Sequence, residues 1–440
     1  MLEVKVSLGD ALPPDHLARF IVELISQLDL SPIYQQYSEE GAPPYAPELL
    51  LGLIVYGYAT GVFSSRKIER ATHESIPFRF IAGNMQPDHD TVANFRKQFL
   101  GEIQALFVQV LLVAQEMGYL SLGNISLDGS KIHADASKSK AVSYKRLLAM
   151  EAHLQAQVGE LFALAETADS AVPEGMVVED EIAWREERLA RLAEAKAVLE
   201  ARAQARYEAE QAEYEEKLRQ REEKAAKKGQ KPRGQPPKPP TAGPRDKDQY
   251  NFTDPESRIM KNANNDGFDQ HYNVQVAVDQ DSRLIVAPGL SNHTTDRQEA
   301  LPTVDAIPAG LGRPEAAALD NGYWSPDNVE GLLQRGIEPY IATGRDPHHG
   351  SWQAHFQHNP QLPAEGASAK EKMAHKLRTV IGRAIYRLRK STVEPVIGII
   401  KEVLGFRQFS LRGLSAAAGE WVLVCLAFNL KRLHTLHYGH

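Results

Sequence analysis

The chain has one cysteine, Cys425, in 440 residues. That excludes an internal disulfide framework and any cysteine-built zinc module, and it fits a reducing cytoplasm. Basic residues are also in short supply. Fifty Lys and Arg against 57 Asp and Glu leave a net charge of −7, which at face value argues against a nucleic-acid partner. Long apolar runs are missing too: the windows Leu49 to Tyr58 and Trp421 to Leu430 fall short of the ~20 residues that cross a bilayer. The first residues show no basic stretch followed by an apolar core, so no secretory leader is expected. The expectation is a cytoplasmic protein with no membrane segment.

A whole-chain sum hides pattern. The basic residues gather in two places, Lys227 to Lys247 and Lys372 to Lys390, while much of the acidic excess lies in the middle of the chain. The length suggests two or three compact units. Residues 12–115 read as short helices: Leu17, Phe20, Ile21 and Leu24 repeat at helical spacing, Pro47 opens a second apolar helix, and Ser64 or Ser65 and Asp90 or Thr91 stand where caps would start two more. The last pair resembles a helix-turn-helix. A short strand is expected over Asn124 to Asp128. Leu147, Leu154 and Leu161, then Leu192 and Leu199 in a separate register, suggest an antiparallel helical hairpin around Pro173 to Gly175. The proline-rich segment up to Asp248 reads as a flexible basic linker. Strands follow at Tyr272 to Val278, Leu284 to Ala287, Ala316 to Leu319 and Pro339 to Ala342, with helices at Arg297 to Ile307 and Pro326 to Gln334 between them and long helices at 369–403 and 419–436. The class is a mixed α/β sheet covered by helices.

Three acids fall where a metal-dependent phosphoryl-transfer site would need them. Asp128 and Asp320 end expected strands and are followed by Gly129 and by Asn321-Gly322, and in open α/β sheets chemistry gathers beyond strand ends. Glu394 follows the cationic run Arg387, Arg389, Lys390. A few carboxylates suffice for a hard divalent ion that keeps water and phosphate as its other ligands. His293 and Asp296 follow the third strand, where they could touch metal or DNA but more simply form a polar loop cluster, and Asp254, Asp266 and Asp269 read as turn residues near the site. His348, His349, His355 and His358 lack the cysteine partners of a zinc motif, and Trp352 and Phe356 read as packing residues.

With those residues in view, the chain resembles the DDE transposases of bacterial insertion sequences, whose catalytic domain is RNase H-like. The stretches that carry the resemblance are Gly57 to Gly61, Ser65 to Glu69, Pro87 to Thr91 with Phe95-Arg96, Leu127 to Lys131, Thr253 to Arg258, Tyr272 to Gln275, Asp320 to Tyr323, Val393 to Gly398, Phe406-Arg407, Leu411 to Leu414 and Asn429-Leu430. One branch carries a tyrosine–arginine–glutamate–lysine signature with two, three and six residues between members. Glu394 and Lys401 keep the last gap; counting back reaches Lys390 and Arg387, with Tyr386 and Arg389 one residue early.

The resemblance implies an all-helical DNA-binding domain over 1–118 and an RNase H-like mixed sheet flanked by helices over 119–140 and 250–440. A helical-hairpin insertion at 141–225 and a basic linker at 226–249 interrupt that domain. It implies Asp128, Asp320 and Glu394 as catalytic, metal-binding residues, with Asp128 shared between two Mg²⁺ ions that Mn²⁺ can replace. Arg66, Lys67, Arg96, Tyr386, Arg387, Arg389, Lys390 and Lys401 are the implied DNA contacts. The implied partners are the element's terminal inverted repeats and target DNA, handled by a homodimer. An inactive DNA-binding derivative and a nuclease without strand transfer are the alternatives.

Overall fold

A computed structural model of the chain describes residues 7–37, 45–166, 176–228, 235–262, 267–344, 362–364 and 366–439. Asp266, the four histidines from His348 to His358, Trp352, Phe356 and the expected hairpin turn at Pro173 to Gly175 lie outside the described residues. The chain divides into two compact units, one of residues 1–135 and 256–440, the other of residues 136–255.

The first unit opens with helices α1 (Leu17–Ile25), α2 (Ser31–Tyr34), α3 (Pro47–Ala59), α4 (Ser65–Glu74), α5 (Ile76–Ile81), α6 (His89–Gln98) and α7 (Leu100–Glu116). Helix α3 starts on a proline, which suits a first-turn position with no N–H partner to lose, and it buries nearly every residue from Pro47 to Ala59. A helix apolar on all sides belongs inside a core. Asp88 caps α6 by accepting the Thr91 amide at 2.7 Å.

Strand β1 (Ile125–His133) follows. It is longer than the sequence suggests. Asp128 lies in its middle, and Gly129 continues the strand rather than turning it, because β1 pairs antiparallel along its full length with a later strand. The second unit holds the short ribbon of β2 (Ala141–Ser143) and β3 (Gln249–Asn251) and the helices α8 (Tyr144–Glu166) and α9 (Val178–Lys228). Leu147 and Leu154 pack against Leu192, Ala195 and Leu199. Lys196 pairs with Glu151 at 2.9 Å and Arg185 with Gln157 at 3.1 Å. The earlier of these α8 residues meets the later of the α9 residues, so the helices run antiparallel.

Back in the first unit come β4 (Arg258–Lys261), β5 (Phe268–Asp279), β6 (Ile285–Ser291), α10 (Ala300–Asp305), β7 (Ala316–Leu319), α11 (Pro326–Gln334) and β8 (Glu338–Ile341). Asp269 lies within β5, not in a turn. β5 pairs with β1 on one edge and with β4 and β6 on the other, all antiparallel; β7 runs parallel to β1, and β8 parallel to β7. This is the mixed, helix-covered sheet expected of an RNase H-like domain preceded by helices.

Three helices end the chain: α12 (Ala369–Arg378), α13 (Val380–Gly398) and α14 (Leu414–Tyr438). The single long helix expected over 369–403 is broken at Thr379, whose hydroxyl caps α13 by accepting the Gly382 amide at 3.0 Å. The corner is tight. A β-carbon at Gly382 would lie 2.0 Å from the Lys376 carbonyl oxygen. Helix α14 is long and apolar enough to cross a membrane, but its residues Trp421 to Leu430 are buried against α3, α7 and β6. Asn429 clasps the edge of β6 by accepting the Ile285 N–H at 2.9 Å and donating to its carbonyl at 2.8 Å. Its apolarity is that of a core helix.

Candidate active site

The parallel pairing of β1 and β7 ends with Leu127 opposite Leu319. Asp128 and Asp320 are the next residues on each strand. Neighbouring strands lie about 4.8 Å apart, so the register alone puts the two carboxylates side by side. Asp128 Oδ1 accepts its neighbour's amide, Gly129 N, at 2.9 Å. Asp320 begins a turn over Asn321–Tyr323 and accepts the Gly322 amide at 2.7 Å.

The third acid arrives on α13, which packs on β1, β5 and β7. Val393, Val396 and, just beyond the helix, Ile400 are buried. A polar pin fixes the helix: Thr392 Oγ1 and Gln280 Nε2 both lie 2.9 Å from the buried Ser126 Oγ. Three residues before Thr392, Arg389 turns to the sheet. Its Nη1 donates to Asp128 Oδ2 at 2.9 Å and its Nη2 lies 3.3 Å from Glu394 Oε1. One guanidinium therefore joins two of the three acids. Among the described residues no three His, Cys, Asp or Glu side chains converge on one ion-sized point, and the Arg389 guanidinium stands between Asp128 and Glu394.

Burial pushes the Asp128 carboxyl up to about 6, with Arg389 pulling it down and the Asp320 charge adding to the rise. The Tyr323 phenol is held well above its ordinary value by burial first, then by the charges of Asp296, Asp128, Asp320 and Glu299. Several carboxylates thus act on one partly buried region, and the donors they offer are hard oxygens. That donor set fits a divalent cation such as Mg²⁺. The glycines fit as well: a β-carbon at Gly322 would lie 3.0 Å from Asp320 Oδ1.

The other expected residues divide sharply. Tyr386 is half-buried beside Arg389, while Arg387 and Lys390 are exposed on the same helix as Glu394. Lys401 lies in a widened turn at Ile399–Val403 that follows Pro395. Its ammonium donates to Ser130 Oγ at 3.1 Å, two residues beyond Asp128, and burial lowers its pKa. Arg66 and Lys67 are exposed on α4. Arg96 is set apart from all of these. It is buried, and its guanidinium donates to the Tyr58 hydroxyl at 2.8 Å and the Phe63 carbonyl at 3.2 Å, so it serves the core rather than a surface. His293 is bound to Glu299 at 2.6 Å. The Ser126–Thr392–Gln280 pin was not read from the sequence; a serine inside an otherwise apolar buried strand was its one signal.

Comparison with known proteins adds two matches. Residues 6–98 match a family model described as a transposase domain (DUF772), and residues 353–434 match one described as a transposase DDE domain. The second takes in Glu394 and Lys401, and the first takes in Arg66 and Lys67. Neither the curated proteins nor the solved structures gave a match. A transposase domain ahead of a DDE domain on one chain, with a mixed sheet beneath the acids, indicates an insertion-sequence DDE transposase.

Proposed function

We propose that the protein binds the terminal inverted repeats of its element and cuts and joins DNA by in-line phosphoryl transfer, working as a homodimer on paired ends in the cytoplasm. The observation that carries the reading is the register of β1 and β7, which sets Asp128 beside Asp320, with Arg389 tying Asp128 to Glu394. Proteins of this family act on DNA and generally use divalent metal ions. Asp128, Asp320 and Glu394 would hold two such ions, Mg²⁺ with Mn²⁺ as substitute, which when bound activate the attacking water or 3′-hydroxyl and neutralise the leaving oxygen.

The chain's own groups do the rest. Ser126, Thr392 and Gln280 fix α13 on the sheet, and so fix where Glu394 stands relative to Asp128. Arg387 and Lys390 give the helix a cationic outer face along which a phosphate backbone can approach acids that would otherwise repel it. Lys401, whose ammonium reaches Ser130 two residues along β1 from Asp128, offers a point charge to phosphate. Arg66 and Lys67, exposed on α4, would hold end DNA as part of a helical DNA-binding region over 1–118.

The decisive assay is Mg²⁺-dependent nicking and strand transfer on DNA carrying the element's own ends, comparing wild type with Glu394→Ala. Boundary nicks and joined products that vanish in the variant while binding survives support the transposase. Cutting without joining makes it a nuclease, and binding without any cutting an inactive derivative. A second expectation concerns the cationic face. Replacing both Arg387 and Lys390 with alanine removes two phosphate partners, so the slope of log K against log salt flattens by about 2. Filter binding from low to moderate salt reads this directly, and an unchanged slope places the DNA elsewhere.

A further inference from the structure

We propose that Asp296 is a fourth acid of the divalent-cation site, held beside Asp320 by neutral donors and supplying a ligand oxygen that the three-acid reading does not assign. The inference rests on that reading. Asp296 opens a short turn between β6 and α10. Its Oδ1 accepts from Asn273 Nδ2 and from Gln275 Nε2, each at 2.8 Å. Both amides come from one face of β5 and both are buried. Gln275 is aimed in turn by the Tyr323 hydroxyl, which donates to its Oε1. Tyr323 lies three residues after Asp320. The carboxylate is thus tied to β5 directly and to the Asp320 turn through one further residue.

Two glycines make the room. A β-carbon at Gly129, next to Asp128, would lie 2.7 Å from Asp296 Oδ1 and 2.5 Å from Gln275 Nε2. One at Gly322 would lie 3.0 Å from Asp320 Oδ1 and 3.4 Å from Asp296 Oδ2. A side chain at Gly129 would push the Asp296 carboxylate and the Gln275 amide away, and one at Gly322 would crowd Asp320 Oδ1 while only touching Asp296. Asp320 Oδ1 and Asp296 Oδ2 therefore both border the space beside the Gly322 α-carbon.

The donor set separates a ligand from a mere anchor. Asn273 and Gln275 are neutral, so they orient Oδ1 without cancelling the charge, and Asp296 has no ion pair among the described residues. Oδ2 stays free to meet a cation. If the carboxylate served only to anchor β5, its charge would be superfluous, because an asparagine oxygen can accept the same two amides. Asp296→Asn exploits that difference: it keeps the acceptor at Oδ1 and removes the charge at Oδ2.

The test is Mn²⁺ binding to the full-length protein without DNA, following free Mn²⁺ by electron paramagnetic resonance, with melting in chelator as the control for folding. Asp296→Asn is expected to weaken Mn²⁺ binding at least tenfold or to lose one ion, with the chelator melt unchanged. Wild-type affinity and stoichiometry in Asp296→Asn, while Glu394→Gln weakens binding, would overturn the inference and leave the three acids standing. Unchanged binding in both variants would overturn the three-acid reading and this inference with it. Should Asp296→Asn fail to fold, Asp296→Ser, which keeps an oxygen acceptor without the charge and leaves Asp320 untouched, is expected to weaken Mn²⁺ in the same way, and wild-type binding by that variant overturns the inference.

Discussion

Arg389→Ala lowers the stability of the metal-free protein by about 3 kcal/mol, and added divalent cation recovers a large part of the loss. The argument starts from burial. The Arg389 side chain is 11% exposed and that of Asp128 19%, so the pair is largely out of water. Removing one member of a buried ion pair leaves the other uncompensated, which typically costs ~3–5 kcal/mol. The lower end applies because the Arg389 Nε is itself buried without a partner, so the wild-type pair does not fully offset its own desolvation. Asp128 then faces Asp320 with no counter-charge. A bound cation stabilises the folded state in proportion to its concentration over its dissociation constant, and here it would take over the role of the lost guanidinium. Denaturant melts in chelator and in Mn²⁺ read both halves. An unchanged chelator melt would show that the guanidinium contributes nothing to holding the acids. Arg389→Lys is expected to recover only part of the loss, because one ammonium does not reproduce the fork that reaches Asp128 and Glu394 together.

That arginine also shows where the sequence is readable and where it is not. Counting back from Glu394 by the family's spacing lands on Lys390, yet the structure turns Arg389 to the acids. The helix decides this. Arg389, Val393, Val396 and Ile400 follow one another by four, three and four residues and share the face that meets the sheet, whereas Lys390 points outward. The strands β7 and β8 and the helix α11 were legible from apolar runs bounded by proline, glycine and charge, and α11 falls on the residues expected. Asp320 was legible because its strand is short and ends at the acid. Asp128 was legible as a residue but not in its setting. Asp-Gly resembles a turn, and only the pairing of β1 with β5 shows that the strand runs on to His133. The break at Thr379 was hidden because apolar residues recur on both sides of it. The close approach at that corner, where a β-carbon at Gly382 would meet the Lys376 carbonyl, arises from folding.

Arg96→Ala, the second large effect, is expected to destabilise the protein by about 2–4 kcal/mol while leaving DNA affinity per folded molecule unchanged. Arg96 donates to Tyr58, and Tyr58 donates to the fully buried Glu420 at 2.9 Å. Glu420 also accepts from the amides of Ser410 and Leu411 at 2.8 and 3.0 Å, so this chain of polar groups joins α6, α3 and the start of α14. Deleting the guanidinium strips the donor from Tyr58 and from the Phe63 carbonyl and leaves a cavity where its stem packed, losses that add in a buried network. Arg66→Ala with Lys67→Ala should behave in the opposite way. Both side chains are exposed, so stability moves by no more than about 0.5 kcal/mol, while affinity for the element's ends falls as two phosphate partners are lost. Thermal melts beside binding curves corrected for the folded fraction separate the two. If Arg96→Ala keeps its melting temperature and loses DNA, the buried network is not what holds α6 to α3 and α14. Arg96 must then reach the phosphate backbone after all.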